Sequence, residues 1–246
     1  MGSNRKKGNP FTHFLLENNT YLVFLILFAV CCAISDKFFS ALNLRNILLQ
    51  QCAPILVSLG MLMVVLTGGI DLSVGSVMAV GSSLTAVLMT SYGLHWALAA
   101  LISVAAGCLM GACSGFLVAY MRFQGFVASL SGMTIARGIA YTITNATPIN
   151  LPDGTLNSLT FKAYGYPIIW ITLFLVILLS VVSRYTSYGR IIVATGSNAE
   201  AVKLSGIRVR RYILSVYVIS GSLAALAGGH QLSPPGHSGM QRAEPD

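Results

Sequence analysis

RYTSYGRIIVATGSNAEAVKLSGIRVRR, residues 184–211, lies between two strongly apolar stretches and decides how the chain is read. It carries six basic residues, Arg184, Arg190, Lys203, Arg208, Arg210 and Arg211, against a single acid, Glu200. Lys and Arg next to membrane spans resist translocation, so a loop of this composition faces the cytoplasm. Within it Ser197 can cap a short helix, and Glu200, three residues later, can reach back as its capping-box partner. Gly206 then stands where a helix C-terminus favours a left-handed residue. A polar helix held between two spans at the cytoplasmic face is suited to receive a push from a soluble partner.

Working outward, the composition agrees. Apolar residues make up 55% of the chain, charged residues 9%, and the mean hydropathy is +0.75. An ordinary soluble domain carries about 25% charged residues, so most of this chain sits where charge is expensive. The net charge of +8 does not indicate nucleic acid, because the basic residues cluster in short loops and form no face that could track phosphates.

A bilayer core of about 30 Å takes roughly 20 apolar helical residues. Seven stretches qualify: 20–35, 47–67, 72–90, 95–120, 126–143, 167–183 and 212–229. The expected fold class is therefore all-α, a polytopic transmembrane helical bundle of about seven spans. The stretch at 72–90 is rich in Gly and Ser and could be broken or re-entrant. With the N-terminus inside, the inner segments hold ten basic residues and the outer ones three (Lys37, Arg45 and Lys162). That asymmetry places the N-terminus in the cytoplasm and requires an even number of spans before residue 184. The resulting organisation is a cytoplasmic tail 1–19, spans one to six over 20–183, a cytoplasmic loop 184–211, a seventh span 212–229 and a polar tail 230–246.

No cleavable signal peptide is apparent in the first apolar run. All five cysteines, Cys31, Cys32, Cys52, Cys108 and Cys113, fall in apolar spans without a CxxC pair or a Cys/His cluster. They read as small packing residues, and neither a metal site nor any cofactor is expected. Gly107, Gly111 and Gly115 recur every four residues, as do Gly221, Ala225 and Gly229. Small residues at that spacing let helices approach closely in lipid.

Asp71, in TGGIDLSVGSVMAVGS, has two readings. It caps a helix starting at Leu72, after the turn that Gly68 and Gly69 allow, or it is an intramembrane carboxylate on an ion path. Arg137, in SLSGMTIARGIAY, could pair with Asp71, bond carbonyls of a broken helix or snorkel to an interface. The segment 144–166 reads as an exposed outer loop with a Pro-Asp-Gly turn at 152–154. No GxxxxGK[ST] loop, nucleophile elbow or HExxH occurs, so a catalytic role is not expected and any energy must come from a gradient or another subunit.

Three motifs carry a resemblance: LTGGIDLSVGSVMAVGS at 66–82, FVASLSGMTIARGIAYTITNATPI at 126–149 and YGRIIVATGSNAEAVKLSGIRVRR at 188–211. In this order they resemble the membrane permease subunit of bacterial ABC sugar importers of the ribose/xylose/galactose type. The resemblance implies a permease dimer in the plasma membrane, a cytoplasmic ATPase and an extracytoplasmic sugar-binding protein. It also implies a coupling helix formed by Asn198, Ala199, Glu200, Ala201, Val202, Lys203, Leu204, Ser205 and Gly206. The pattern departs after Gly229, where HQLSPPGHSGMQRAEPD cannot span a membrane and reads as the product of a frameshift or truncated gene. Two other functions stay open at this point: a gradient-driven secondary transporter using Asp71 and Arg137, and a non-transporting fragment that binds the ATPase or binding protein.

Overall fold

A computed structural model describes residues 19–35, 37–147, 149 and 167–231. The 230–246 tail beyond Gln231, the start of the N-terminal tail and the Pro-Asp-Gly turn at 152–154 lie outside the described residues. The described residues form eight helices and no strand: α1 Asn19–Ile34, α2 Ala41–Val65, α3 Val74–Thr90, α4 Trp96–Ala119, α5 Gly125–Thr144, α6 Pro167–Tyr185, α7 Ser187–Leu204 and α8 Val209–Gln231. Five of them, α2, α4, α5, α6 and α8, are long and apolar enough to cross a membrane; α1 and α3 are shorter apolar helices. The chain is a multi-pass helical bundle.

The described residues up to Ile47 form one compact unit and those from Leu48 onward the other. In the first, Phe28 meets the rings of Phe24, Phe38 and Phe39 at 6.1, 5.7 and 6.0 Å between centroids. Ser40 Oγ accepts the Asn43 amide at 3.2 Å, a hydroxyl cap that starts α2.

In the second unit α8 is the centre. Val216, Tyr217, Ala224, Ala225 and Ala227 on it are buried. They join clusters with Met63 and Val64 of α2, Val77 and Val80 of α3, and Ala136 and Ala140 of α5. Glycine makes this close packing possible. A Cβ on Gly111 would strike the carbonyl of Tyr217, one on Gly107 the carbonyl of Gly221, and one on Gly115 the Tyr217 Cβ at 2.8 Å. Gly221 answers from the other side, where a Cβ would meet the Gly107 carbonyl. In lipid, where hydrophobic burial between helices offers little, such backbone contact supplies van der Waals attraction that bulkier residues would forfeit.

Two boundaries differ from the sequence reading. The segment 184–211 is not a loop with one short helix but is helical over most of its length, from Ser187 to Leu204. Its first half is ordered by burial: Gly189, Ile192 and Thr195, three residues apart, face inward, and Ile192 packs with Met63, Val64, Val216 and Tyr217. The 72–90 stretch becomes a helix only at Val74, and residues 69–73 are irregular backbone after a turn, with Ser73 at φ −77° and ψ −17°.

The exposed helix tip of α7 and the buried aspartate turn

Thr186 opens α7: its side chain accepts the Gly189 amide at 3.2 Å. The helix then breaks at Asn198, whose φ of −158° and ψ of 90° are not helical. Asn198 caps the short helical turn beyond the break, because its Oδ1 accepts the Ala201 amide at 3.0 Å. Asn and Ser cap about equally well, so composition alone did not fix the register. Ser197, expected as the cap, instead donates back to the Val193 carbonyl at 3.2 Å and belongs to the preceding helix. Glu200 makes no capping box and instead pairs with Lys203 at 3.1 Å.

The short helix from Ala199 to Leu204 ends at Gly206, which holds φ of +82° and donates to the Lys203 carbonyl at 3.0 Å. Val202 anchors its inner side, while Ala199, Glu200, Ala201, Lys203, Leu204, Ser205 and Gly206 are exposed. Leu204 is 83% exposed, the most exposed large apolar side chain among the described residues.

Behind the kink, α7 touches the turn that leads to Asp71. A Cβ on Gly196 would run into the Leu66 carbonyl, and one on Gly68, itself at φ +76°, would lie 3.6 Å from Gly196. The turn is fastened from α8 as well: the Tyr217 hydroxyl donates to the Ile70 carbonyl at 3.2 Å.

Asp71 is 2% exposed. One carboxylate oxygen accepts the Ser73 amide at 2.9 Å and the Ser73 hydroxyl at 2.6 Å. The other accepts the Ser220 hydroxyl of α8 at 2.9 Å. Asp71 is thus not the cap of a helix starting at Leu72. It folds the approach to α3 two residues earlier, and Ser73, at the N-cap position, makes no side-chain cap bond. A buried carboxylate satisfied by three donors suits a structural tie. Sequence reasoning missed Ser220 and Tyr217, and the only available signal was their polarity within an apolar span.

Arg137 is exposed on α5 and no ion pair joins it to Asp71. Between α7 and α8, the Tyr188 and Ser215 hydroxyls lie 2.7 Å apart and the Tyr188 and Tyr212 rings 5.6 Å apart. Burial raises the Tyr188 pKa, the Ser215 bond lowers it and Tyr212 raises it further. Among the described residues no three His, Cys, Asp or Glu side chains come together as a metal site would need.

Comparison with known proteins gives this geometry a context. The chain is 36% identical over 234 residues to a ribose import permease protein of Haemophilus influenzae, covering 93% of this chain and 72% of that one. It is 34% identical to a fructose import permease protein of Bifidobacterium longum, covering 91% and 68%. It is 32% identical to an L-arabinose transport system permease protein of Escherichia coli, covering 84% and 63%. No solved structure matches. A family model described as branched-chain amino acid transport system / permease component matches residues 43–241, a range that includes α2 to α8 almost whole and part of the tail set apart by composition. With the match covering most of its length, the chain belongs to this family of transport-system permease components.

Proposed function

We propose that the chain is the permease subunit of an ATP-driven importer of a pentose or hexose, working as a pair of copies in the bacterial plasma membrane. The relatives' names, import permeases for ribose, fructose and arabinose, support the sugar. The observation that carries the mechanism is the tip of α7: a capped, exposed helix from Asn198 to Gly206 with Leu204 projecting. In this reading it enters a groove of a cytoplasmic ATPase, and Glu200 and Lys203 set its register. The basic bias of 184–211 supports its cytoplasmic side. An extracytoplasmic sugar-binding protein delivers the substrate.

Mechanically, movement of the α7 tip reaches the bundle at Gly196, which lies against the Leu66–Gly68 turn. That turn continues into Ile70 and Asp71, which Tyr217 and Ser220 tie to α8. The docking helix and the central span therefore share one short connection. ATP binding and hydrolysis on the partner bias which side the path opens to, and the permease supplies the two conformations. The chain has no phosphate-binding loop of its own, and hydrolysis is assigned to the partner.

Asp71 as the proton- or sodium-coupling group of a secondary transporter fits less well, since both its oxygens are occupied by protein donors. The test is uptake of labelled ribose, xylose, arabinose, galactose and fructose by cells carrying the chain with its ATPase and binding protein. Uptake that persists under an uncoupler while ATP is maintained is expected. Uptake that stops with the gradient at constant ATP overturns the proposal, and so does ATPase binding without uptake of any of these sugars.

A further inference from the structure

Helix α5 has two unlike faces. Ala128, Ala136 and Ala140 are buried, Ala136 and Ala140 against Val74, Val77, Val80, Ala224 and Ala225. On the same side a Cβ at Gly132 would come within 2.9 Å of Ser114 Oγ. On the opposite side Ser131, Thr134, Arg137, Gly138, Tyr141 and Thr142 are exposed, with Val127 and the half-buried Leu130 on the same arc in the first turns of the helix. At about 3.6 residues per turn these six fall within roughly 140° of the circumference.

Most of an exposed helix face in a membrane bundle meets lipid, and three of these residues could tolerate it. Ser131, Thr134 and Thr142 donate their hydroxyl protons to the carbonyls of Val127, Leu130 and Gly138 at 3.1, 3.1 and 2.9 Å. Arg137 cannot be satisfied in that way. Its guanidinium has five donors and stays charged, and among the described residues it has no ion pair. It stands twelve residues into α5, about 18 Å along the axis at 1.5 Å per residue, which is inside a hydrocarbon core of about 30 Å. Beside it, Gly138 opens onto space, with nothing within 4 Å of a Cβ there. Charged side chains at such depth face water-filled cavities or partners rather than lipid.

We infer that this stripe of α5 lines the water-filled path through which a neutral sugar crosses, with Arg137 donating hydrogen bonds to its hydroxyls; the inference rests on the sugar-permease reading above. The chemistry is complementary in both directions. Arg137 and the Tyr141 hydroxyl supply donors, and the back-bonded oxygens of Ser131, Thr134 and Thr142 keep free lone pairs as acceptors. The exposed Tyr141 ring offers an apolar face to sugar C–H groups. No carboxylate lies on the stripe, so nothing there favours a cation.

The test is single-cysteine accessibility in membrane vesicles containing the chain with its ATPase. Thr134→Cys, Gly138→Cys and Tyr141→Cys are treated with a membrane-impermeant methanethiosulfonate and compared with Ile135→Cys and Ile139→Cys on the apolar flank. Labelling of the unsubstituted chain is the background, and thiol labelling in SDS measures the chain present. Gly138→Cys guards against misfolding, because the new side chain meets no neighbour.

The expected result is labelling of the three stripe cysteines severalfold faster than of the two flank cysteines, slowed by one of ribose, xylose, arabinose, galactose or fructose. Stripe labelling no faster than the flank overturns the path whatever solute is carried. Ready disulfide formation between two copies at Thr134→Cys also overturns it, by making the stripe a sealed contact. Fast labelling that none of the five sugars slows keeps the aqueous path and overturns the sugar contact. Sugar uptake by the unsubstituted chain reports separately on the permease reading.

Discussion

Ser220 Oγ of α8 donates a 2.9 Å hydrogen bond to Asp71 Oδ2, a buried contact between residues 149 positions apart. It ties the one irregular backbone segment between α2 and α3 to the central span. Removing the hydroxyl leaves a buried carboxylate oxygen short of a donor, which costs on the order of 1–3 kcal/mol. Ser220→Ala is expected to lower the melting temperature in detergent, and Ser222→Ala, whose hydroxyl bonds only the Ile219 carbonyl of its own helix, to lower it far less.

Asp71 itself separates a structural tie from an ion site. In Asp71→Asn the amide oxygen can still accept from Ser73, and the Ser220 hydroxyl can turn to accept from the new NH2 group. Sugar uptake should survive Asn and fail with Ala. Loss of uptake with Asn in a variant that inserts and melts normally would assign the negative charge itself a role.

Glycine positions with opposite surroundings should respond in opposite ways. Gly111→Val forces a side chain into the Tyr217 carbonyl, and overpacking of this kind costs about 1–3 kcal/mol or more. Gly75→Ala meets nothing within 4 Å and should leave the yield of folded protein unchanged or raised. The yield of monodisperse protein after detergent extraction checks both.

At the α7 tip, Asn198→Ala removes a cap worth about 1 kcal/mol, so amides 199–204 should exchange with deuterium faster. Ser197→Ala should not change them, since Ser197 bonds backward to Val193.

Tyr188 should lose its proton at a pH above the ordinary tyrosine value near 10, because burial raises its pKa. A group raised in the folded state stabilises it fully below its unfolded pKa, and that contribution is lost as pH rises through the folded value. The difference between the absorbance titrations of the wild type and Tyr188→Phe isolates the transition.

Much of this was legible in the sequence. The apolar stretches correspond to helices, and Gly206 carries the left-handed φ that its place after Leu204 required. What was not legible depended on distant partners. Asn198 and Ser197 are both competent caps, and the choice followed from where the α7 backbone breaks. The first half of α7 looked like loop because Gly189, Ile192 and Thr195 gain their burial only once the bundle is assembled. Asp71 could not be assigned without Ser220, and Arg137 could not be separated from it until α5 was seen to turn it outward.

The most direct test of the central claim is recovery of the chain on its affinity-tagged cognate ATPase from mildly solubilised membranes. The account predicts that wild type and Ser197→Ala are retained, while Leu204→Asp and Glu200→Lys are lost although they insert normally. Unchanged recovery of Leu204→Asp would contradict the assignment of the α7 tip as the coupling helix.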